Sequence, residues 1–181
     1  LRSAQFRASF DERHCLMLAR DLVAAKIRNQ RTLLRRNWKR GELPETLLSG
    51  FRQDIDAAER ANDLPQLLGA EGNAAARYFR HFGQMLSLPG DNHADDWPFD
   101  FERRTRRPPT DPVNALLSYA YSLLSRSVAV TLTAVGFDAY RGFYHQSRYG
   151  RPAMALDVME PFRPLIADSA VLTAINNGEV G

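Results

Sequence analysis

Glu71 is a carboxylate in a costly place. It falls in line with Ala74, Ala75, Tyr78, Phe82 and Met85, the apolar stripe of the segment 64–86, and should therefore point inward. A buried carboxylate needs a cation, a hydrogen-bond network, a proton or a metal ion. Arg77 or Arg107 could serve as the cation. Asp157 and Glu160 stand three residues apart and share one helical face, a spacing that binds divalent ions readily and also occurs on ordinary solvated surfaces. His145 lies among aromatic and basic residues of the segment 142–150. With Glu71 and Glu160 it would complete a set of two carboxylates and one imidazole, which suits Mg²⁺ or Mn²⁺ and is poorly matched to structural zinc. His14, His81 and His93 lack such company and read as surface or packing residues.

Basic residues form the second chemical feature. Of the 24 Lys and Arg, only Lys26 and Lys39 are lysine, which leaves 22 arginines in a chain of net charge +3. Guanidinium forks suit phosphate oxygens, although a GC-rich genome also writes arginine wherever a cation will do. Lys26, Arg28, Arg31, Arg35, Arg36, Lys39 and Arg40 form a run without an acid, and Arg28, Arg31, Arg35 and Lys39 share one helical face. That face is either a track for a phosphate backbone or a solvated surface paired with Asp54, Asp56 and Glu59. Arg103, Arg104, Arg106 and Arg107 cluster in a loop and lean toward DNA.

The elements that position these residues read as helices throughout. Ser9-Phe10-Asp11-Glu12 has capping-box form, and apolar residues then recur at steps of three and four to about Trp38. A break over 41–44 precedes a second helix through Leu47, Phe51, Ile55 and Ala58, so the two should form a hairpin. A third helix spans 64–86, with Gly69 and Gly72 expected to permit close backbone packing. Residues 87–110 read as an irregular loop. Asp111-Pro112 starts a helix that Gly136 ends; it is apolar on most sides and is expected to be a buried central helix. Two short helices over 153–160 and 162–175 follow, separated by Pro161.

At 181 residues and 44% hydrophobic, the chain can bury one core, and one all-α domain is expected. No run of about 18 apolar residues is present, and a soluble, cytoplasmic protein without membrane contact is expected. Cys15 sits in an apolar run and reads as a buried thiol, in keeping with a reducing compartment. There is no Gly-x-Ser-x-Gly elbow, phosphate loop or zinc-type cysteine set, which sets aside serine-hydrolase, nucleotide-hydrolase and zinc-finger chemistry.

Five segments in order resemble the CRISPR-associated integrases, the Cas-one family. They are Lys26-Ile27-Arg28-Asn29-Gln30-Arg31, Leu67-Leu68-Gly69-Ala70-Glu71-Gly72, Arg106-Arg107-Pro108-Pro109-Thr110-Asp111-Pro112-Val113-Asn114-Ala115-Leu116-Leu117-Ser118, Gly142-Phe143-Tyr144-His145, and Ala155-Leu156-Asp157-Val158-Met159-Glu160-Pro161-Phe162-Arg163-Pro164. The resemblance implies a helical catalytic domain with Glu71, His145 and Glu160 as ligands of Mg²⁺ or Mn²⁺, and Asp157 as a supporting or alternative catalytic carboxylate. Many members carry aspartate where this chain has Glu160. Arginines, with Arg148, Arg151 and Arg163 among them, would hold the phosphates of double-stranded DNA. The implied reaction is attack of a DNA 3′-hydroxyl, or of water, on a phosphodiester during insertion of new spacers. A homodimer and a small partner subunit of the Cas-two family are implied as well. Because the chain opens on Leu1 and family members carry a β-rich domain before the helical one and further sequence after it, residues 1–181 read as a piece of a longer protein. The competing expectation is a non-catalytic helical DNA-binding module in which Glu71 and Glu160 only anchor cations.

Overall fold

A computed structural model describes residues 1–87 and 99–180. Within them the chain is all-α, with only an isolated bridge between Arg148 and Arg151 in place of any strand. The order is α1 (Arg2–Ala8), α2 (Glu12–Asn37), α3 (Glu45–Arg60), α4 (Leu64–Arg80), a 3-10 turn (Phe82–Met85), α5 (Pro112–Ala134), α6 (Ala153–Met159), a π-helical segment (Arg163–Asp168) and α7 (Ser169–Asn176). His93 and most of the first half of the loop expected over 87–110 lie outside the described residues.

Helices α2 and α3 form the expected hairpin, burying Ala19, Val23, Ile27 and Leu34 against Leu47, Phe51, Ile55 and Ala58. The cap of α2 is Asp11, whose carboxylate accepts from the amides of Arg13 and His14 at 3.0 and 3.1 Å. The box anticipated from Ser9 does not form, because Ser9 Oγ donates to the Phe6 carbonyl at 2.8 Å and closes α1. That helix has seven residues, too few to show a periodicity. Cys15 is buried, and burial first of all raises its thiol pKa.

Asp63 caps α4 by accepting from the Gln66 amide at 2.8 Å, and α4 buries Leu67, Ala70, Ala74 and Tyr78. Gly69 and Gly72 do not serve close packing, since a Cβ at either would meet nothing within 4 Å; both lie off the buried stripe. The close approach falls at Gly50 of α3, across which the Arg77 guanidinium lies on its way to Asp54, with Nε to Oδ2 2.8 Å.

The start and end of α5 are as expected, with the Asp111 carboxylate accepting from the Asn114 amide at 2.8 Å and Gly136 at φ +93° closing it. Its central burial is not. Val113, Leu117, Leu124 and Leu132 pack inward, while Tyr119 and Val130 remain 65% and 64% exposed. Helix α6, the π segment and α7 cover one side, and the opposite side has no cover among the described residues. By length and composition alone α5 is also apolar enough to cross a membrane. All-round apolarity in this helix therefore does not mark burial.

Candidate catalytic cleft

Six parts of the chain meet at a cleft of ≈ 760 Å³: α2, α4, the loop before α5, the loop after α5, α6 with its C-terminal end, and the start of the π segment. Its lining includes Glu71, His145 and Glu160, the three residues singled out as ligands, together with Lys26. The cation facing Glu71 is neither Arg77 nor Arg107. Lys26 Nζ lies 2.6 Å from Glu71 Oε1 and 2.6 Å from Glu160 Oε2, so one ammonium bridges both carboxylates. Arg163 adds a second cation at 3.1 Å from Glu160 Oε1. The Tyr144 hydroxyl donates to Glu71 Oε2 at 2.6 Å. Burial pushes the Glu71 carboxyl up, but the Lys26 charge and hydrogen bond, with the Tyr144 hydroxyl, outweigh it and leave its pKa below the ordinary value. The signal for Lys26 was present in the sequence: residues 23, 26, 27 and 30 fall on one face of α2, and the other three are buried.

Asp157 does not line the cleft, contrary to a role as alternative ligand. It is fully buried beneath the His145 loop. Its Oδ2 accepts from the amides of Phe143 and Tyr144 at 2.6 and 3.0 Å, and its Oδ1 accepts from the His145 amide at 2.8 Å. His145 Nδ1 lies 2.8 Å from the same Oδ1. An ionised carboxylate only accepts, so in the neutral ring Nδ1 is the nitrogen that carries the proton and Nε2 the one left free to accept or ligate. Nε2 points toward Glu160, 3.9 Å from Oε1. The loop is held from outside by α1: Gln5 Nε2 donates to the carbonyls of Asp138 and Arg141 at 2.8 and 2.7 Å, and Gln5 Oε1 accepts from the Asp138 amide at 2.8 Å. Asn29 Nδ2 of α2 donates to the Pro161 carbonyl at 2.8 Å, fixing the end of α6 beside Lys26.

Behind the cleft lies another buried carboxylate, Asp168, which no sequence pattern singles out. Asp168 accepts hydrogen bonds from the hydroxyls of Tyr78 at 2.8 Å and Tyr121 at 2.6 Å. Burial raises its pKa to about 6, against the lowering effect of both hydrogen bonds and of the Arg163 charge. The Arg163 guanidinium in turn lies 4.9 Å from the Tyr121 ring centre. Its three members come from α4, α5 and the π segment, and no local spacing links them.

The arginines divide into two groups. Arg106, Arg107, Arg148, Arg151 and Arg163 line the cleft, and Arg103 is exposed nearby. Arg104 turns inward: it donates to Asn114 Oδ1 at 2.7 Å and Ser118 Oγ at 3.0 Å, lies 5.5 Å from the Tyr121 ring centre, and has its pKa lowered first by burial. Its planar fork holds the loop onto α5. On α2, Arg28 pairs with Glu59 of α3, the solvated pairing anticipated as the alternative to a DNA track, while Arg35 is exposed and Arg31 half-buried. His81 accepts a packing role, with Nδ1 2.9 Å from the Arg77 carbonyl, and His14 packs edge-on to Phe143.

The donor set fits a hard divalent cation. Two acidic side chains and one imidazole nitrogen face one cleft, and the imidazole is oriented by a carboxylate behind it, the usual support of a metal-bound histidine. Glu160 Oε2 is buried without a hydrogen bond of acceptable geometry, even with the Lys26 ammonium beside it. As they stand, no three Asp, Glu, His or Cys side chains among the described residues are gathered closely enough to hold an ion. The Lys26 ammonium lies between Glu71 and Glu160.

Fold and cleft together define an all-helical domain with an acidic centre beneath an arginine-rich rim. The chain matches the family model for CRISPR associated protein Cas1 over residues 1–181 and belongs to that family. It is 59% identical to a CRISPR-associated exonuclease Cas4/endonuclease Cas1 fusion of Geobacter sulfurreducens, covering 99% of this chain and 32% of the relative. It is 46% identical to a CRISPR-associated endonuclease Cas1 of Thermus thermophilus, covering 99% and 49%. Among solved structures, a chain of a partial Cas6-RT-Cas1–Cas2 complex superposes with a TM-score of 0.84 at 34% identity, covering 98% of this chain and 50% of that one. The chain thus spans about a third to a half of the length of these relatives.

Proposed function

We propose that this chain is the catalytic helical domain of a divalent-metal-dependent DNA endonuclease and integrase, which inserts new spacers into a CRISPR array by attack of a 3′-hydroxyl on a phosphodiester. The observation that carries the proposal is the convergence of Glu71, His145 and Glu160, from three segments distant in sequence, on one cleft rimmed by arginines. Relatives named as endonucleases support the same reading.

Within it, Glu71, His145 Nε2 and Glu160 hold Mg²⁺ or Mn²⁺. When bound, such an ion supplies Lewis-acid stabilisation of charge on the phosphoryl oxygens. Asp157 keeps the proton on His145 Nδ1 and so leaves Nε2 to ligate. Arg106, Arg107, Arg148 and Arg151 hold the DNA backbone through phosphates, and Arg163, anchored on the Tyr121 ring and Glu160, carries its charge to the floor of the same cleft. The neighbouring Cas1–Cas2 complex supports a small Cas2 partner; double-stranded DNA and a second copy of the protein complete the assembly.

The test uses the intact protein. Glu71→Gln and His145→Ala are expected to fold as the parent does, while metal-dependent cleavage and strand joining fall by about 100-fold or more. Retention of activity in either variant would overturn the reading.

The second reading, a DNA-binding module in which the carboxylates only anchor cations, is favoured by the pairing of Glu71 with Lys26 and of Glu160 with Lys26 and Arg163. It predicts unchanged DNA affinity on adding or chelating divalent ions. Both readings expect affinity to fall steeply with salt.

A further inference from the structure

Nearly all the cations of the chain are arginine, yet the one between Glu71 and Glu160 is a lysine. The choice has a physical consequence. An ammonium is a compact point charge that fits between two carboxylates, whereas a guanidinium is a broad planar fork. We infer that Lys26 is a built-in counter-cation that sets the divalent-metal affinity of the cleft by competing for Glu71 and Glu160. The inference rests on the metal-site reading proposed above and concerns how that site is regulated.

Three observations carry it. Lys26 is 8% exposed and lines the cleft, so its stem is packed into α2 and its head borders the open space. The head lies 2.6 Å from one oxygen of each carboxylate, and an ion held by both could not share that place, since like charges at such a separation repel strongly. Finally, Glu160 Oε2 has no hydrogen bond of acceptable geometry. Its attraction to Lys26 is therefore mainly Coulombic, and withdrawal of the ammonium from that side breaks no directed bond. Lys39, the other lysine, is exposed and bonds Ser87 far from this cluster.

Displacing Lys26 offsets part of the gain from binding an ion, so the site is weaker than its donor set alone would make it. Once displaced, the ammonium faces a cleft whose rim is suited to phosphate, where a DNA backbone gives it a new partner.

The test measures Mn²⁺ binding to the DNA-free intact protein, from the free Mn²⁺ signal in electron paramagnetic resonance. Lys26→Met keeps the length and removes the charge. It should bind Mn²⁺ about 10-fold or more tightly than the parent, and its melting temperature should rise further on Mn²⁺ saturation. Equal or weaker binding would overturn the inference. A second measurement does not require that variant to fold. In ¹³C-lysine-labelled parent, titration with Mg²⁺ should move the Lys26 Cε resonance, assigned by its loss in Lys26→Arg, while Lys39 stays in place. A stationary Lys26 resonance under saturating Mg²⁺ also overturns it. Glu71→Gln separates the two levels. If it binds Mn²⁺ as the parent does, the metal site itself is wrong; if it loses Mn²⁺ while Lys26→Met matches the parent, only the role of Lys26 fails.

Discussion

Two acidic centres, one half-buried and one fully buried, adjoin one face of α4. Glu71 looks into the cleft, and two turns later Tyr78 points to Asp168 in the core. Glu71 is answered by an ammonium and one hydroxyl, and its pKa lies below the ordinary value. Asp168 is answered directly by two neutral hydroxyls, with Arg163 acting only at longer range, and burial raises it to about 6. The contrast shows what kind of partner a carboxylate withdrawn from solvent needs for a given task. A charged partner keeps the acid ionised and can be exchanged for another cation; neutral donors hold it in place but leave it close to protonation.

The largest expected effect separates the two centres by stability. Asp168→Ala strands the Tyr78 and Tyr121 hydroxyls and leaves a small cavity, at a cost of about 3–5 kcal/mol, and Mn²⁺ binding should survive in whatever fraction remains folded. Glu71→Gln should do the reverse. Denaturant unfolding beside Mn²⁺ binding checks the pair, and equal stability losses would break the comparison.

Next is a pH effect of opposite sign at the two sites. Asp168 has a folded pKa of about 6, above its unfolded value. The native state therefore holds more protons between these values, and this group's contribution, complete below about pH 4, is lost as pH rises to about 6, on the order of 3 kcal/mol. Glu71 has a folded pKa below its unfolded value, so its contribution is present above about pH 4.5 and lost on further acidification. Urea unfolding at pH 4 and pH 6.5 should show Asp168→Asn lacking the loss on the alkaline side. A difference unchanged by that substitution would contradict the assignment.

A smaller effect is expected at Asp157, which acts through His145. Asp157→Asn can present an amide instead of an acceptor to Nδ1 and should weaken Mn²⁺ binding by about 10–100-fold. Unperturbed affinity would show that the imidazole needs no such support. Smallest of all, Arg28→Ala removes an exposed pair with Glu59 and should change stability by less than about 1 kcal/mol.

The sequence made some of this visible for identifiable reasons. Long helices with side-chain caps, α2, α4 and α5, announce themselves by period, and α5 also by Asp111, whereas the caps Asp11 and Asp63 are less legible: Asp11 falls inside an apparent box begun at Ser9, and Asp63 reads only as the stop of the helix before it. Glu71 was legible because a charge interrupts an apolar stripe. Lys26 interrupts one too, but the surrounding run of cations drew it into a surface reading. Apolarity on all sides misled for α5, since helix period says which residues are apolar and not what covers them. Asp168 was beyond local inspection: its partners Tyr78 and Tyr121 lie 90 and 47 residues away. Helix α1 was too short to register, yet it supplies Gln5, whose side chain holds the loop of His145.

Gly142 sits where that loop passes closest to α6: a Cβ there would stand 2.7 Å from Asp157 Oδ2 and 2.9 Å from the Ala153 carbonyl carbon. One of these neighbours is backbone and the other a carboxylate locked by four donors, so neither can yield cheaply. In a library carrying every substitution, position 142 should be nearly empty among functional survivors, alanine included, while position 69, with open space around it, accepts side chains freely. Mutational tolerance along the chain would then trace the contact that sets the histidine, even in an assay blind to metal.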